Sequence, residues 1–261
     1  MASPIRFEAS DTIPVADAEA FCHNLPQISA DPDESLIMHR GRNVVFRHAF
    51  AGEVVVIKHF RMRSPYSRIA YRIRPSKAQR SYANALRLIE LGFDTPKPLA
   101  WAERWQGRTP REAFYVCAWD RDASQARQLV RHAGRAEHPA IHAIGHLAGR
   151  LHEAGVHHRD LTAGNVLYAS EDADTWSIKL IDLNRVAFDV RLSRKAALRN
   201  LAQLEFAGER AAPLLSGYCV ARGWNVPDTR PYYDQALAAH LRSRKWRNAT
   251  RGVRRRLLFK M

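Results

Sequence analysis

The chain has 261 residues, 46% of them hydrophobic, and a formal net charge of +15 from 41 Lys and Arg against 26 Asp and Glu. That length can bury the core of one bilobal domain or two small ones, and the apolar content excludes a disordered polyelectrolyte. Cys22, Cys117 and Cys219 are odd in number and widely spaced, without a Cys-x-x-Cys pair; they argue against a disulfide framework or zinc site and suit reduced thiols in a cytoplasmic protein.

Met1 to Pro14 lacks the apolar centre of a signal peptide, and no run of roughly eighteen apolar residues occurs, so secretion and membrane spanning are not expected. Residues 1–36 mix acids (Asp11, Asp17, Glu19, Asp31, Asp33, Glu34) with Pro14, Pro26 and Pro32. They read as a loosely ordered or packed-on lead segment. From Val44 to Phe50 and from Val54 to Lys58, around Ala51-Gly52-Glu53, β-branched and apolar residues predict a hairpin whose second strand ends in Lys58. Lys77 to Leu91 has helical spacing and ends at Gly92. Two strands are expected around Pro98–Trp101 and Ala113–Val116.

Beyond Trp119 the pattern turns mainly helical, over Ser124–Ala133, Pro139–Ala154, Lys195–Ala207, Ala211–Arg222 and Tyr232–Lys245. The exception is His157-His158-Arg159-Asp160-Leu161-Thr162-Ala163-Gly164-Asn165, followed by strands at Val166–Tyr168 and Ile178–Ile181 and then Asp182-Leu183-Asn184. His138, His142 and His146 share one helix face at four-residue spacing. A metal could use such a row, but no His-Glu-x-x-His pattern accompanies it, and a polar helix face is the simpler reading.

The loop carries chemistry. Phosphoryl transfer needs a carboxylate that orients the attacking hydroxyl and takes its proton, and oxygen ligands that hold Mg²⁺ against a triphosphate. Asp160 fits the first need. Asn165, five residues on, matches the offset of His-Arg-Asp-x-x-x-x-Asn, and Asp182 after its apolar strand would be the second metal ligand. A tripeptide His-Arg-Asp also arises by chance, and Asp and Asn are common turn residues. The helix–loop–strand–turn–strand setting favours the chemical reading. Lys58 then occupies the place of the strand lysine that contacts the α and β phosphates of ATP, although a strand lysine can also be a solvated edge charge.

Val-Ile-Lys at residues 56–58, the segment Arg80 to Pro98, and the two motifs around Asp160 and Asp182 together resemble the bacterial lipopolysaccharide kinase family, which groups Kdo kinases, core heptose kinases and InaA-type proteins. The similarity spans roughly residues 37–215. It implies an α+β, bilobal, protein-kinase-like fold with a small β-rich lobe at residues 37–118, a larger helical lobe at 119–240, and a basic tail at 241–261. It also implies ATP and Mg²⁺, a Kdo or heptose hydroxyl of the lipopolysaccharide core as acceptor, and work at the cytoplasmic face of the inner membrane. Cys117, in Val116-Cys117-Ala118-Trp119, would lie in the interlobe connection whose backbone binds adenine. The alternatives are a kinase for a protein or another small molecule, and a catalytically weak kinase-like module that binds nucleotide or polyanion.

Several positions depart from familiar kinases. No Gly-x-Gly-x-x-Gly precedes Lys58, Asp-Phe-Gly is replaced by Asp182-Leu183-Asn184, and Thr162 stands where many kinases have a lysine. The helix meant to supply a glutamate to Lys58 offers only Glu90, near its end. The charge also needs a partner. Arg61, Arg63, Arg68, Arg72, Arg74, Lys77 and Arg80 form one cluster, and nine cations between Arg242 and Lys260 form another. No nucleic-acid-binding motif accompanies them, so specific nucleic-acid binding is not expected. Leu241, Trp246, Val253, Leu257, Leu258 and Phe259 interleave with the second cluster, as in a helix lying on an anionic membrane surface; a solvated tail is the other reading.

Overall fold

The computed structural model describes residues 4–62, 71, 74–132, 134–172 and 175–258. Of the first basic cluster, Arg63, Arg68 and Arg72 lie outside the described residues, as does Phe259; side chains from residue 251 onward are likewise outside the description. The chain divides into two compact units. One comprises Met1–Arg121 with Leu180–Arg185, and the other Asp122–Lys179 with Val186–Met261.

The first unit is a six-stranded antiparallel sheet in the order β1-β5-β6-β4-β3-β2. Its strands are β1 (Ile5–Ala9), β2 (Ile37–Arg40), β3 (Asn43–Phe50), β4 (Glu53–Arg61), β5 (Pro98–Gln106) and β6 (Thr109–Ala118). The expected hairpin forms in the register Phe50↔Glu53. Its two linking residues, Ala51 and Gly52, both have positive φ (52° and 79°). Such turns match the right-handed twist of the strands they join, which explains the glycine.

Alternation along β4 divides the unit into two apolar layers. Val55 and Ile57 face one side, with Val44, Phe46, Phe114 and Val116, and there the lead segment packs as α1 (Val15–Ile28) through Phe21, Cys22 and Leu25. Phe60 and Met62 face the other side with Tyr115 and Cys117, and Ala78 and Tyr82 of α2 (Lys77–Glu90) cover them. Residues 1–36 are therefore built in: β1 pairs with β5 from Ile5↔Arg104 to Ala9↔Ala100, and α1 closes one face of the sheet. Ser76 caps α2 by accepting a bond from the Gln79 N–H at 3.2 Å.

The second unit is mainly helical. It holds α3 (Arg127–His132), α4 (His138–Glu153), α5 (Arg194–Leu201), α6 (Ala211–Arg222) and α7 (Val226–Leu258). Short strands β7 (Ser124–Gln125), β9 (Val166–Ser170) and β10 (Trp176–Leu180) form one small sheet, and β8 (His157–His158) with β11 (Val186–Ala187) another. Two departures from expectation have local causes. Ser124 and Gln125 pair with Tyr168 and Leu167, which delays the first helix to Arg127. The last helix starts six residues before Tyr232, because Pro231 falls in its second turn without ending it.

α4 and α6 cross at backbone contact. A methyl group on Gly145 would lie 2.0 Å from the Leu214 carbonyl oxygen, and one on Gly217 would lie 2.0 Å from that of His142. Only glycine lets the two backbones approach so closely.

Candidate active site

In the first unit, Lys58 and Asp182 are brought together. The Lys58 ammonium donates to Asp182 Oδ1 at 2.6 Å, with the two side chains 16% and 32% exposed. Asp182 is fixed from both directions. Before it, the Leu180 N–H donates to the Asp94 carbonyl (3.0 Å) and the Thr95 hydroxyl donates to the Leu180 carbonyl (2.8 Å). After it, Asn84 of α2 donates its amide to the Leu183 carbonyl at 2.7 Å, and the buried Asn184 donates to Asp182 Oδ1. Asp182 itself has φ of 62°. A non-glycine residue in that region costs on the order of 1 kcal/mol, and such residues persist where the surroundings over-determine them.

This settles the partner of the strand lysine. Glu90, at the end of α2, is exposed, and among the described residues Lys58 pairs with Asp182. The helix contributes Asn84 to the Asp182 segment instead of a carboxylate to Lys58. Asn184, in the place of the familiar glycine, supplies a second donor to the Asp182 carboxylate. The Asp-x-Asn spacing was the available signal, since Asp and Asn two apart commonly bond each other or nearby backbone.

Cys117 lies in β6 opposite Val56, on the layer that holds Phe60 and within the field of the Lys58 ammonium. Burial pushes its thiol up to about 12, so it is neutral and unreactive. The neighbouring Ala118 and Trp119 N–H groups are taken by the carbonyls of Lys97 and Val54. Lys77, in the first turn of α2, is half-buried, and burial followed by the field of Arg42 lowers its pKa; Asp182 acts in the opposite sense.

In the second unit, Asp160 and Asn165 share one short loop. Asn165 Nδ2 donates to the Asp160 carbonyl at 2.8 Å, the Thr162 N–H donates to the same oxygen at 2.8 Å, and the Asn165 N–H donates to the Thr162 carbonyl at 2.8 Å. Leu161 is buried beneath them. The Asn165 amide is thereby oriented through its nitrogen, which leaves its carbonyl oxygen for another role. The Arg127 guanidinium rests against Gly164, where a methyl group would lie 2.1 Å from its Nη2.

A buried polar chain holds this loop from behind. Asn200 of α5 donates its amide to the His158 carbonyl (3.0 Å), leaving its oxygen to accept from His152 Nε2 (2.9 Å); His152 Nδ1 in turn accepts from the Tyr218 hydroxyl (2.9 Å). That donor order requires a neutral imidazole. Burial drives the His152 pKa down to about 4, in agreement. Sequence reasoning placed His152 on a helix before the loop but did not find Asn200 or Tyr218. Their partners are tens of residues away in the chain, and no local spacing links them.

Asp182 in the first unit and Asn165 in the second each carry an oxygen donor of the kind Mg²⁺ prefers, not the sulfur or imidazole of a zinc ligand. Among the described residues no group of three His, Cys, Asp or Glu gathers as a metal cluster.

Comparison with known proteins agrees with the geometry. The model of the lipopolysaccharide kinase (Kdo/WaaP) family matches residues 40–224. No curated protein matches the chain. Among solved structures, WaaP in complex with acyl carrier protein is similar with a TM-score of 0.60 at 16% identity, covering 91% of this chain and 97% of that one. The bifunctional kinase-methyltransferase WbdD gives a TM-score of 0.45 at 15% identity, over 76% of this chain and 43% of that one. The likeness to WaaP shows a shared α+β, protein-kinase-like fold. With the family match over most of its length, the chain belongs to the lipopolysaccharide kinase (Kdo/WaaP) family and is a kinase.

Proposed function

We propose that this kinase transfers the γ-phosphate of ATP to a hydroxyl of a lipopolysaccharide core sugar, Kdo or heptose, at the cytoplasmic face of the inner membrane. The observation that carries the reading is the pairing of Lys58 with Asp182 at 2.6 Å, in a family member whose catalytic loop keeps both Asp160 and Asn165. Asp160 is the group that orients the acceptor hydroxyl and takes its proton as the new oxygen–phosphorus bond forms and the bond to the β-phosphate oxygen breaks. Lys58 steers the α and β phosphates. Asp182 and Asn165 would hold Mg²⁺, which neutralises phosphate charge when bound. Lys58 also satisfies the Asp182 carboxylate and holds it in place.

The basic C-terminal half of α7 supports work at a membrane. Residues 242–249 are all exposed, Trp246 is 71% exposed, and no acidic residue occurs from 241 to 261. No helix among the described residues is long and apolar enough to cross a bilayer, so contact would be peripheral.

The test is ATP consumption with purified, dephosphorylated lipopolysaccharide core, comparing wild type with Asp160→Ala. Loss of a positioned base lowers turnover by about 10²–10⁴-fold, with the KM for ATP little changed. Equal rates for the two proteins across several core acceptors would refute the assignment.

A further inference from the structure

We propose that Lys77 and Arg42 join Lys58 in gripping the phosphates of the nucleotide, so that side-chain cations do here what a glycine-rich turn does elsewhere with backbone amides. The proposal rests on the reading of the protein as ATP-dependent.

The turn between β2 and β3 precedes the lysine strand, as a phosphate loop would, but it reads Arg40-Gly41-Arg42. Its one glycine has no spare amide, since the Gly41 N–H donates to the Asn43 carbonyl at 3.1 Å. A backbone cradle for phosphate is therefore not available from Gly41. What the turn does offer is the exposed guanidinium of Arg42, next to Asn43, and Asn43 lies opposite Phe60 in the β3–β4 ladder.

Lys77 arrives at the same ring from α2. Its ammonium is 6.0 Å from the Phe60 ring centroid, and that of Lys58 is 5.3 Å away. Lys58 has a carboxylate partner; Lys77 has none within ion-pair distance among the described residues. Its setting opposes a cation in two further ways. It occupies the first turn of a helix with no acidic residue there, where the helix dipole disfavours positive charge. The fields of Lys58, Arg42 and Arg80 also act on it, with Asp182 as the single anion among its neighbours. Asp182 apart, these terms disfavour the Lys77 cation, and a polyphosphate seated among the three cations would offset them. Thr162 leaves the catalytic loop without its usual lysine, so cationic charge at the phosphates must come from elsewhere.

The test is calorimetric titration of the full-length protein with Mg-ATP, Mg-ADP and adenosine, for wild type, Lys77→Gln and Arg42→Gln, together with thermal unfolding without ligand. Each variant should bind Mg-ATP about tenfold or more weakly, as expected for loss of a charged hydrogen bond. Adenosine binding should be unchanged, and the ligand-free melting temperature of Lys77→Gln equal to wild type or higher. Either variant binding Mg-ATP like wild type, or a fall in the ligand-free melting temperature of Lys77→Gln, would overturn the clamp. Failure of wild type itself to bind Mg-ATP would instead sink the nucleotide reading on which the clamp rests.

Discussion

Asn200 Nδ2 lies 3.0 Å from the His158 carbonyl oxygen, two residues ahead of Asp160. Both residues are buried, so the loop that carries Asp160, the proposed base, is anchored from behind by a side chain shut away from solvent. Asn200→Ala would remove a donor from the His158 carbonyl and leave the buried His152 Nε2 donor unsatisfied, at a cost of roughly 1–3 kcal/mol. A positioning role predicts more than lost stability. At a temperature where the variant is fully folded, kcat should fall while the KM for ATP stays near the wild-type value, and steady-state kinetics alongside circular dichroism separates the two effects.

The same chain makes stability depend on pH. His152 titrates near 4 in the folded protein against an ordinary value of 6.5. The unfolded state therefore binds the extra proton between those limits, and this contribution to stability is complete above pH 6.5 and is lost progressively as pH falls toward 4. Its full size is on the order of 3 kcal/mol. Urea unfolding at pH 7.5 and pH 5 should show a drop for wild type that is smaller in His152→Gln. Equal pH dependence in the two proteins would assign the loss to other groups.

Trp246 and the cations around it lead to a prediction about membranes. By sequence, Val253 and Leu257 follow Trp246 at seven and eleven residues, the spacing of one helix face. Deleting residues 241–261 should abolish sedimentation with vesicles rich in anionic phospholipid and leave ATP binding intact. Unchanged sedimentation of the shortened protein would place the membrane contact elsewhere or dismiss it.

The candidate site residues stand out in the sequence because each sits in a local pattern. Lys58 ends a run of β-branched residues, Asn165 follows Asp160 at a fixed offset, and Asp182 closes an apolar strand. What was not legible depends on contacts distant in sequence. Asn84 reaches Leu183 across 99 positions and Asn200 reaches His158 across 42. Nothing in the neighbourhood of either asparagine marks its partner. The lead segment is a different case. Ala18, Phe21, Cys22 and Leu25 have the spacing of a buried helix face, but acidic residues between them and Pro26 within the helix obscured it.

That lead segment lies wholly before residue 40, where the family match begins. A protein trimmed to begin there would keep every residue assigned to phosphoryl transfer. It would also lay bare the sheet face formed by Val44, Phe46, Val55, Ile57, Phe114 and Val116, and strip β5 of its edge partner. An apolar face beside an unpaired strand edge invites other chains to pair with it. The trimmed form should therefore appear in the insoluble fraction on expression, and adding residues 1–39 back should return it to solution.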